Sequence, residues 1–372
     1  MQNNKVVFVG GHHTPVLAII EALQNNSLEF DFYWVGHRFS MWGDTRDSAE
    51  YKEVTALKIP FFDLKAGKFY HTYNPFKLIR IPWGFIRSFW YLLRLQPDLV
   101  VTFGGYLSVP VAFNAWLLGI PVITHEQTVT AGLANKFVAH FAKLILLTWP
   151  QSLKEFPKDK SEVIGLPLRS EIVASAQSKE VFDATSPKPL IYITGGKQGS
   201  HVINEAALPI LTELLDHFRV VHQCGSNSIN NDLDRLLKFK MTLPSEQTRN
   251  YEVSDYFDAK KVAKIMREAS LIISRSGANT TYELLAFGKP AILIPLPNVS
   301  HNEQFLQAKI LADTGAAIII NQSDLTPAIL LDTINKMFLE LPDYKARAEG
   351  LRNLACYDAA EKFAQKITTF IK

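Results

Sequence analysis

Apolar runs of four or five residues recur along the chain, and the clearest of them end in a glycine turn followed by helical spacing. Residues 6–9 are apolar; Gly10, Gly11, His12, His13, Thr14 and Pro15 follow, then periodic apolar positions over 16–23. Residues 99–103 lead through Gly104, Gly105, Tyr106, Leu107, Ser108, Val109 and Pro110 into an apolar helix over 111–118. Residues 190–194 lead through Gly195-Gly196-Lys197-Gln198-Gly199-Ser200 into a helix over 201–215. The fullest unit is 271–297: a strand over 271–274, a turn over 275–278, a helix over 280–287 stopped by Gly288 and Pro290, and a second strand over 291–295. Further strands are expected at 32–35, 58–63, 121–124, 144–148, 218–224, 250–256 and 316–320. Short, wholly apolar strands alternating with helices predict an α/β fold of two Rossmann-like domains, each an open parallel sheet. The expected boundaries are 1–164 and 165–350, with a helical stretch at 351–372 packing back on the first domain. The polar, proline-bearing stretch 171–189 reads as a connection with little structure.

Composition narrows the class. The chain has 372 residues, 47% hydrophobic and 20% charged, enough for two globular domains. Its formal charge of +3 does not by itself imply nucleic acid, and the two cysteines form no CxxC pair, so a reducing compartment fits. The amino-terminal residues run directly into a strand with no charged leader before a long apolar segment, so a signal peptide is not expected. No apolar run reaches 18 residues, so a spanning helix is not expected either. One window departs from the average. Between Lys65 and Gln96 lie six Lys or Arg, nine Phe, Trp or Tyr, and no Asp or Glu. Lys77, Arg80, Trp83, Phe85 and Arg87 are its candidate contacts with anionic lipid, aromatics at the interface and cations on headgroups. Pro82 and Gly84 suggest a break in the helical pattern there. A core helix with solvated arginines is the alternative.

Candidate chemistry gathers at the strand exits, where open α/β sheets bind ligands. Glycines let a ligand approach the backbone, and helix starts offer unpaired N–H groups and the positive end of the dipole. A phosphate or a sugar hydroxyl is the natural partner. Neither GxGxxG nor GxxxxGK[ST] occurs, so neither a dinucleotide nor ATP hydrolysis is indicated. His12 is the first titratable group beyond the first turn and suits proton transfer near neutrality, or else it only caps the helix. His125, Glu126, Gln127 and Thr128 deliver polar groups at another strand end. Lys197 or Arg169 could add charge to a diphosphate cradle. Two domains with different polar exits suggest two substrates meeting in a cleft.

Seven motifs stand in one order: Gly10-Gly11-His12 with Pro15, GGYLSVP from Gly104, HEQTVTAGLANK from His125, GLPLR from Gly165, GGKQGS from Gly195, RSGANTTYE from Arg275 and HNEQFLQA from His301. Together they resemble the MurG family, the undecaprenyldiphospho-muramoylpentapeptide N-acetylglucosaminyltransferases, inverting GT-B enzymes of glycosyltransferase family 28. The resemblance covers nearly the whole chain. It implies transfer of N-acetylglucosamine from UDP-N-acetylglucosamine to the 4-hydroxyl of a lipid-linked muramoyl-pentapeptide, in peptidoglycan synthesis. His12 and Glu126 would be the catalytic pair, as base and rival base. Gly10, Gly11, Gly104, Gly105, Tyr106, Thr128 and Asn135 would surround the acceptor. Arg169, Gly196, Lys197 and Gln198 would hold the donor diphosphate; Ala278, Asn279, Thr280 and Glu283 the uridine and ribose; Glu303 and Gln304 the donor sugar. No metal or other cofactor would be obligatory. The expected partners are the lipid-linked acceptor, an anionic membrane surface at the cytoplasmic face of the bacterial inner membrane, and other cell-wall synthesis proteins, but no nucleic acid. Departures from the family pattern are the shortened first glycine turn, Thr128 and Leu166 in place of asparagines, Lys197 in place of serine, and Glu303. Alternatives are a diacylglycerol glycosyltransferase, a UDP-N-acetylglucosamine 2-epimerase, or an inactive UDP-sugar-binding partner protein.

Overall fold

The computed structural model describes residues 3–25, 28–39, 47–67, 80–178, 188–226 and 229–371. The chain forms two compact units, residues 1–169 with 356–372, and residues 170–355. The first holds seven parallel strands: β1 (Asn4–Val9), β2 (Phe30–Gly36), β3 (Phe61–Asp63), β4 (Leu99–Thr102), β5 (Val122–Glu126), β6 (Leu144–Leu147) and β7 (Ser161–Val163), in spatial order 3-2-1-4-5-6-7. The second holds six: β8 (Leu190–Thr194), β9 (Arg219–Gln223), β10 (Tyr251–Ser254), β11 (Leu271–Ser274), β12 (Ala291–Leu293) and β13 (Ala317–Ile319), in order 10-9-8-11-12-13. Both are open parallel sheets with flanking helices, the architecture of the GT-B class.

The apolar runs have their reason in this packing. Side chains alternate faces along a strand. In β1, Val6 and Phe8 enter a core on one face of the sheet, and Val7 and Val9 a core on the other. Both faces are dry over residues 6–9, so each of those positions must be apolar. On the first face the carboxyl-terminal helix Ala359–Phe370 lies against helix His13–Gln24. Its Phe363 is fully buried, stacked on Phe103 at 5.7 Å and edge-on to His125. In the second unit Ile191, Ile193, Leu271, Ile273 and Ile292 form the equivalent core.

Each sheet reverses its strand order about its first strand. β1 lies between β2 and β4, and β8 between β9 and β11. The loops leaving the two central strands run to opposite faces there, which opens a crevice at the carboxyl edge. In the first unit those loops are the turns at Gly10 and Gly104; in the second they are the turns at Gly195 and Arg275.

Two expectations need correction. The suspected break at Pro82 and Gly84 is absent, and one helix runs through Arg80–Leu95. Pro82 sits in its first turn, where a backbone N–H has no intrahelical acceptor to lose. Gly84 is buried against Ala66, whose Cβ would stand 2.7 Å from an added Cβ, so the residue marks a close approach. The stretch after Arg169 is also more ordered than expected, with a helix at Ser170–Gln177. Polar exposed faces hid it, because only Ile172 and Ala176 are buried.

Removing the Phe363 ring should leave a cavity beneath β4 and β5. Phe363→Ala is expected to lower unfolding free energy by about 3–5 kcal/mol in urea titration. A loss below about 1 kcal/mol would mean that the carboxyl-terminal helix is not part of the first unit's core.

Candidate active site

In the first unit the turn after β1 and the turn after β4 lie side by side, since β1 and β4 pair in register. His12 is the N-cap of helix His13–Gln24, but no side chain caps that helix. Solvent reaches the His12 ring. It nevertheless sits in a crowded recess, and desolvation there, followed by the adjacent His13, pulls its imidazole down to about 4. At neutral pH it is therefore an uncharged proton acceptor. His13, the next residue, lies 3.4 Å from Glu53.

Glu126 ends β5 and is almost fully buried. Its carboxylate collects the Thr128 N–H at 3.0 Å, the Gly132 N–H at 2.9 Å and the Asn135 side-chain amide at 2.9 Å. The Thr128 hydroxyl lies 2.7 Å from it and 2.6 Å from the Thr130 carbonyl, and can donate to only one of them at a time. Asn135 continues the network, accepting from the Thr124 hydroxyl at 2.9 Å and lying close behind Gly104. Glu126, Thr128 and Asn135 are thus one hydrogen-bonded assembly, with Asn135 packed against Gly104. Both oxygens of Glu126 are occupied by the loop that it shapes.

Two carboxylates beside the first glycine turn escaped the sequence reading. Helix Ala49–Ala56 starts at Ser48, whose hydroxyl accepts the Tyr51 N–H, and it carries Glu50 and Glu53. The signal was present as a serine cap ahead of acidic and apolar positions, but the helix is only eight residues long. Glu50 lies directly behind the first glycine turn. An added Cβ at Gly10 would be 1.9 Å from its Oε1 and 2.8 Å from the Trp34 indole nitrogen, so a larger residue there would displace the Glu50 carboxyl. The Trp34 indole donates to the same oxygen at 2.7 Å. Burial dominates, and the carboxyl is pushed up to about 7. Tyr106 is in turn raised to about 12 by burial and by the charges of Glu50 and Asp63. Glu53 takes Arg169 at 2.5 Å. Arg169 is the last residue of the first unit and is held by that pair, with its buried Nε–H unpartnered.

In the second unit the turn after β8 brings Gly196, Lys197 and Gln198 together. The Gly196 N–H is tied to Thr194 Oγ1 at 3.0 Å, and Gln198 is exposed. The turn after β11 opens helix Ala278–Phe287, whose N-cap is Gly277 and whose start no side chain caps. Ala278, Asn279 and Thr280 form its first turn, and Glu283 stands one turn further on, near enough to Tyr192 for its charge to act on the phenol. Glu303 and Gln304 begin helix Glu303–Ala312. The Ser276 hydroxyl donates to the Gln304 carbonyl at 2.8 Å, and the Gln304 side chain accepts the Leu296 N–H at 2.9 Å. Those bonds lock the β11 turn to the Glu303 helix. Arg275 serves the frame, donating to the carbonyls of Ile294 and Pro295 and to Gln322.

The triplet Asp232-Leu233-Asp234 opens helix Asp232–Thr242. Among the described residues His201, Glu205 and Asp232 form the one group with metal-ligand spacing. Asp232 already binds His201 at 2.7 Å and Asn204 at 2.8 Å, and Glu205 pairs with Arg235.

The basic, aromatic window is described from Arg80 onward. Lys77 lies outside the described residues, and of Arg80 the backbone alone is described. Helix Arg80–Leu95 presents Trp83, Ile86, Trp90 and Leu93 to solvent at spacings of three and four, with Trp83 54% and Trp90 63% exposed. Phe85 turns inward to line an apolar cavity of about 560 Å³ with Ile81, Tyr106, Val109, Leu133 and Phe137. Arg87 is held on the helix by the Tyr91 hydroxyl at 2.7 Å. No helix among the described residues is long and apolar enough to cross a membrane.

Each unit thus carries parallel-sheet turns and an uncapped helix start at its carboxyl edge, the arrangement of nucleotide-sugar glycosyltransferases, and comparison gives the family. The N-terminal domain model of glycosyltransferase family 28 matches residues 9–147 and the C-terminal domain model residues 190–363. The chain belongs to glycosyltransferase family 28. Among its relatives are proteins of Clostridium perfringens, 31% identical over 91% of each chain, and of Clostridium kluyveri, 29% identical over 98% of this chain and 99% of that one. Both are named UDP-N-acetylglucosamine–N-acetylmuramyl-(pentapeptide) pyrophosphoryl-undecaprenol N-acetylglucosamine transferase. The crystal structure of Acinetobacter baumannii MurG superposes with a TM-score of 0.70 at 26% identity, covering 99% of this chain and all of that one. The UDP-N-acetylglucosamine 2-epimerase of Neisseria meningitidis, at 15% identity and a TM-score of 0.65, shares the fold.

The hub reading of Glu126 has a direct test. Glu126→Gln turns an amide N–H₂ toward donors, and each donor left unpaired should cost about 1–3 kcal/mol in chemical denaturation. Unchanged stability with a large loss of turnover would instead make Glu126 the base.

Proposed function

We propose that this chain transfers N-acetylglucosamine from UDP-N-acetylglucosamine to the 4-hydroxyl of an undecaprenyl-diphospho-muramoyl-pentapeptide, with inversion. The carrying observation is likeness along nearly the full length of both chains to transferases of that name. The 2-epimerase reading rests on fold alone.

The first unit takes the acceptor. Its diphosphate lies on the turns at Gly10–Gly11 and Gly104–Tyr106, beside Tyr106. His12, neutral at working pH, removes the hydroxyl proton as oxygen attacks the anomeric carbon from the face opposite UDP. Glu126, with Thr128 and Asn135, keeps the acceptor loop in shape. The second unit takes the donor. Glu283 accepts hydrogen bonds from the ribose hydroxyls, and the first-turn N–H groups of Ala278, Asn279 and Thr280 face the nucleotide. Glu303 and Gln304 read the sugar. Gly196, Lys197 and Gln198 receive the charge that grows on the leaving diphosphate, Lys197 supplying a cation. Arg169 adds to this by exchanging Glu53 for phosphate. No obligatory metal enters these steps.

The membrane face is the Trp83–Ile86–Trp90–Leu93 stripe, with Arg87 as its described cation for anionic headgroups. A polyprenyl anchor leaves a bilayer at a cost of about 0.8 kcal/mol per CH₂, so the enzyme must come to the surface. Peripheral attachment at the cytoplasmic face and contact with other cell-wall synthesis proteins follow from this reading.

UDP release should require both UDP-N-acetylglucosamine and a muramoyl-pentapeptide lipid analogue. His12→Asn should cut kcat about 10²- to 10⁴-fold without changing UDP affinity. Because desolvation by the surrounding groups and the adjacent His13 hold the His12 imidazole low, kcat should stay flat from pH 6 to 8; an unimpaired His12→Asn variant would remove the histidine from the mechanism. Trp83→Ser with Trp90→Ser should reduce sedimentation with anionic vesicles and spare UDP binding. Parental sedimentation would place the membrane face elsewhere.

A further inference from the structure

The helix between β2 and β3 packs Val54 into the core and delivers the Glu50 carboxyl to the back of the first glycine turn. Gly10 and Gly36 both lack the room for a Cβ because Glu50 Oε1 lies there, at 1.9 and 2.3 Å from the positions a Cβ would take. The Trp34 indole and the Gly11 backbone N–H both favour its charged form. No cation among the described residues acts on it. The titratable groups around it are Tyr106 and, beyond that ring, Asp63; one helical turn on, Glu53 is occupied by His13 and Arg169. His12 and His13 follow the turn itself. An anion seated on Gly10–Gly11 would therefore face a second anion from behind, with only the thickness of the backbone between them.

We propose that Glu50 is a positioning residue for the acceptor reaction: it holds the Gly10–His12 turn from behind and carries a proton whenever a diphosphate sits on that turn. The reading of the turn as the acceptor's diphosphate site is that of the proposed function. Like charges at such a distance cannot both persist, so binding an anion favours the neutral carboxyl. Burial has already brought the group to about 7, where protonation at neutral pH is readily coupled to binding. The proton comes from solvent on binding and returns when the anion leaves. The sign is fixed: affinity for the anionic acceptor is highest where Glu50 is neutral and falls as pH rises through its titration. Glu50 makes no bond to a reacting atom. Its effect is on how tightly, and at what pH, the turn accepts its ligand.

The test uses the full-length protein and a symmetrical dialkyl diphosphate, a probe that does not itself titrate near neutrality. Binding is measured by calorimetry at pH 7 in two buffers of different ionisation enthalpy. Net uptake of about half a proton is expected for the parent, and none for Glu50→Gln, which keeps an oxygen acceptor for Trp34 and Gly11. Trp34→Phe removes a bond that favours the charged form, so the pH at which affinity falls should move upward. UDP affinity and thermal midpoint, unchanged in Glu50→Gln, show that the variant is folded. Equal proton uptake in parent and Glu50→Gln, or none in either, overturns the proposal, as does failure of the probe to bind the parent. In turnover, KM for a lipid-linked muramoyl acceptor should rise about tenfold from pH 6 to 8 in the parent and stay level in Glu50→Gln, with KM for UDP-N-acetylglucosamine unmoved in both. Absence of turnover with that acceptor would count against the proposed function, while the calorimetric result still decides the role of Glu50.

Discussion

A parallel strand buried on both faces has nowhere to put a polar side chain except at its ends, and that constraint organises this protein. β1, β4, β8 and β11 are apolar throughout their interior because helices cover both faces of each sheet. Their polar chemistry is displaced to the carboxyl edge, where the strand order reverses and neighbouring loops part. Uncapped helix starts then supply N–H groups at the same edge. The two units use this device independently, once for each proposed substrate.

Three carboxylates in the first unit show how environment divides labour among identical groups. Glu126 is surrounded by donors and fixes a loop. Glu53 neutralises Arg169 and lies beside His13. Glu50 has two N–H donors but no cation acting on it among the described residues, and burial raises it toward neutrality. The separation matters for the base. With Glu126 engaged by its own loop, His12 is the proposed base, and its place at a helix start holds it beside the turn.

Much of this was legible in the sequence, for physical reasons. Strands such as 6–9, 99–103 and 271–274 announce themselves because burial on two faces demands unbroken apolar runs, and glycine turns mark their exits. The motifs beginning at His125 and Arg275 were legible as polar clusters at strand ends. Tertiary burial was not legible. Nothing in the string Ala49–Ala56 says that Glu50 sits against Gly10, because that contact joins residues far apart in the chain. The short edge strand β7 gives only three half-buried residues, too little for a pattern. Pro82 and Gly84 misled because residue type was read without position: a proline is harmless in a first turn, and a glycine can mark a close contact rather than a break. The amphipathic stripe from Trp83 to Leu93 became visible once the helix was known to be continuous.

The central claim is that the two units together make one glycosidic bond to a lipid-linked muramoyl acceptor. Its most direct measurement is the structure of the product: the protein is incubated with UDP-N-acetylglucosamine and a soluble muramoyl-pentapeptide diphosphate lipid, and the sugar product is assigned by mass spectrometry and NMR. The account predicts a single disaccharide, joined through the 4-hydroxyl of the muramoyl sugar with the β configuration that inversion of an α-linked donor produces. An α linkage, a bond to another hydroxyl, or epimerised free sugar without disaccharide would contradict it.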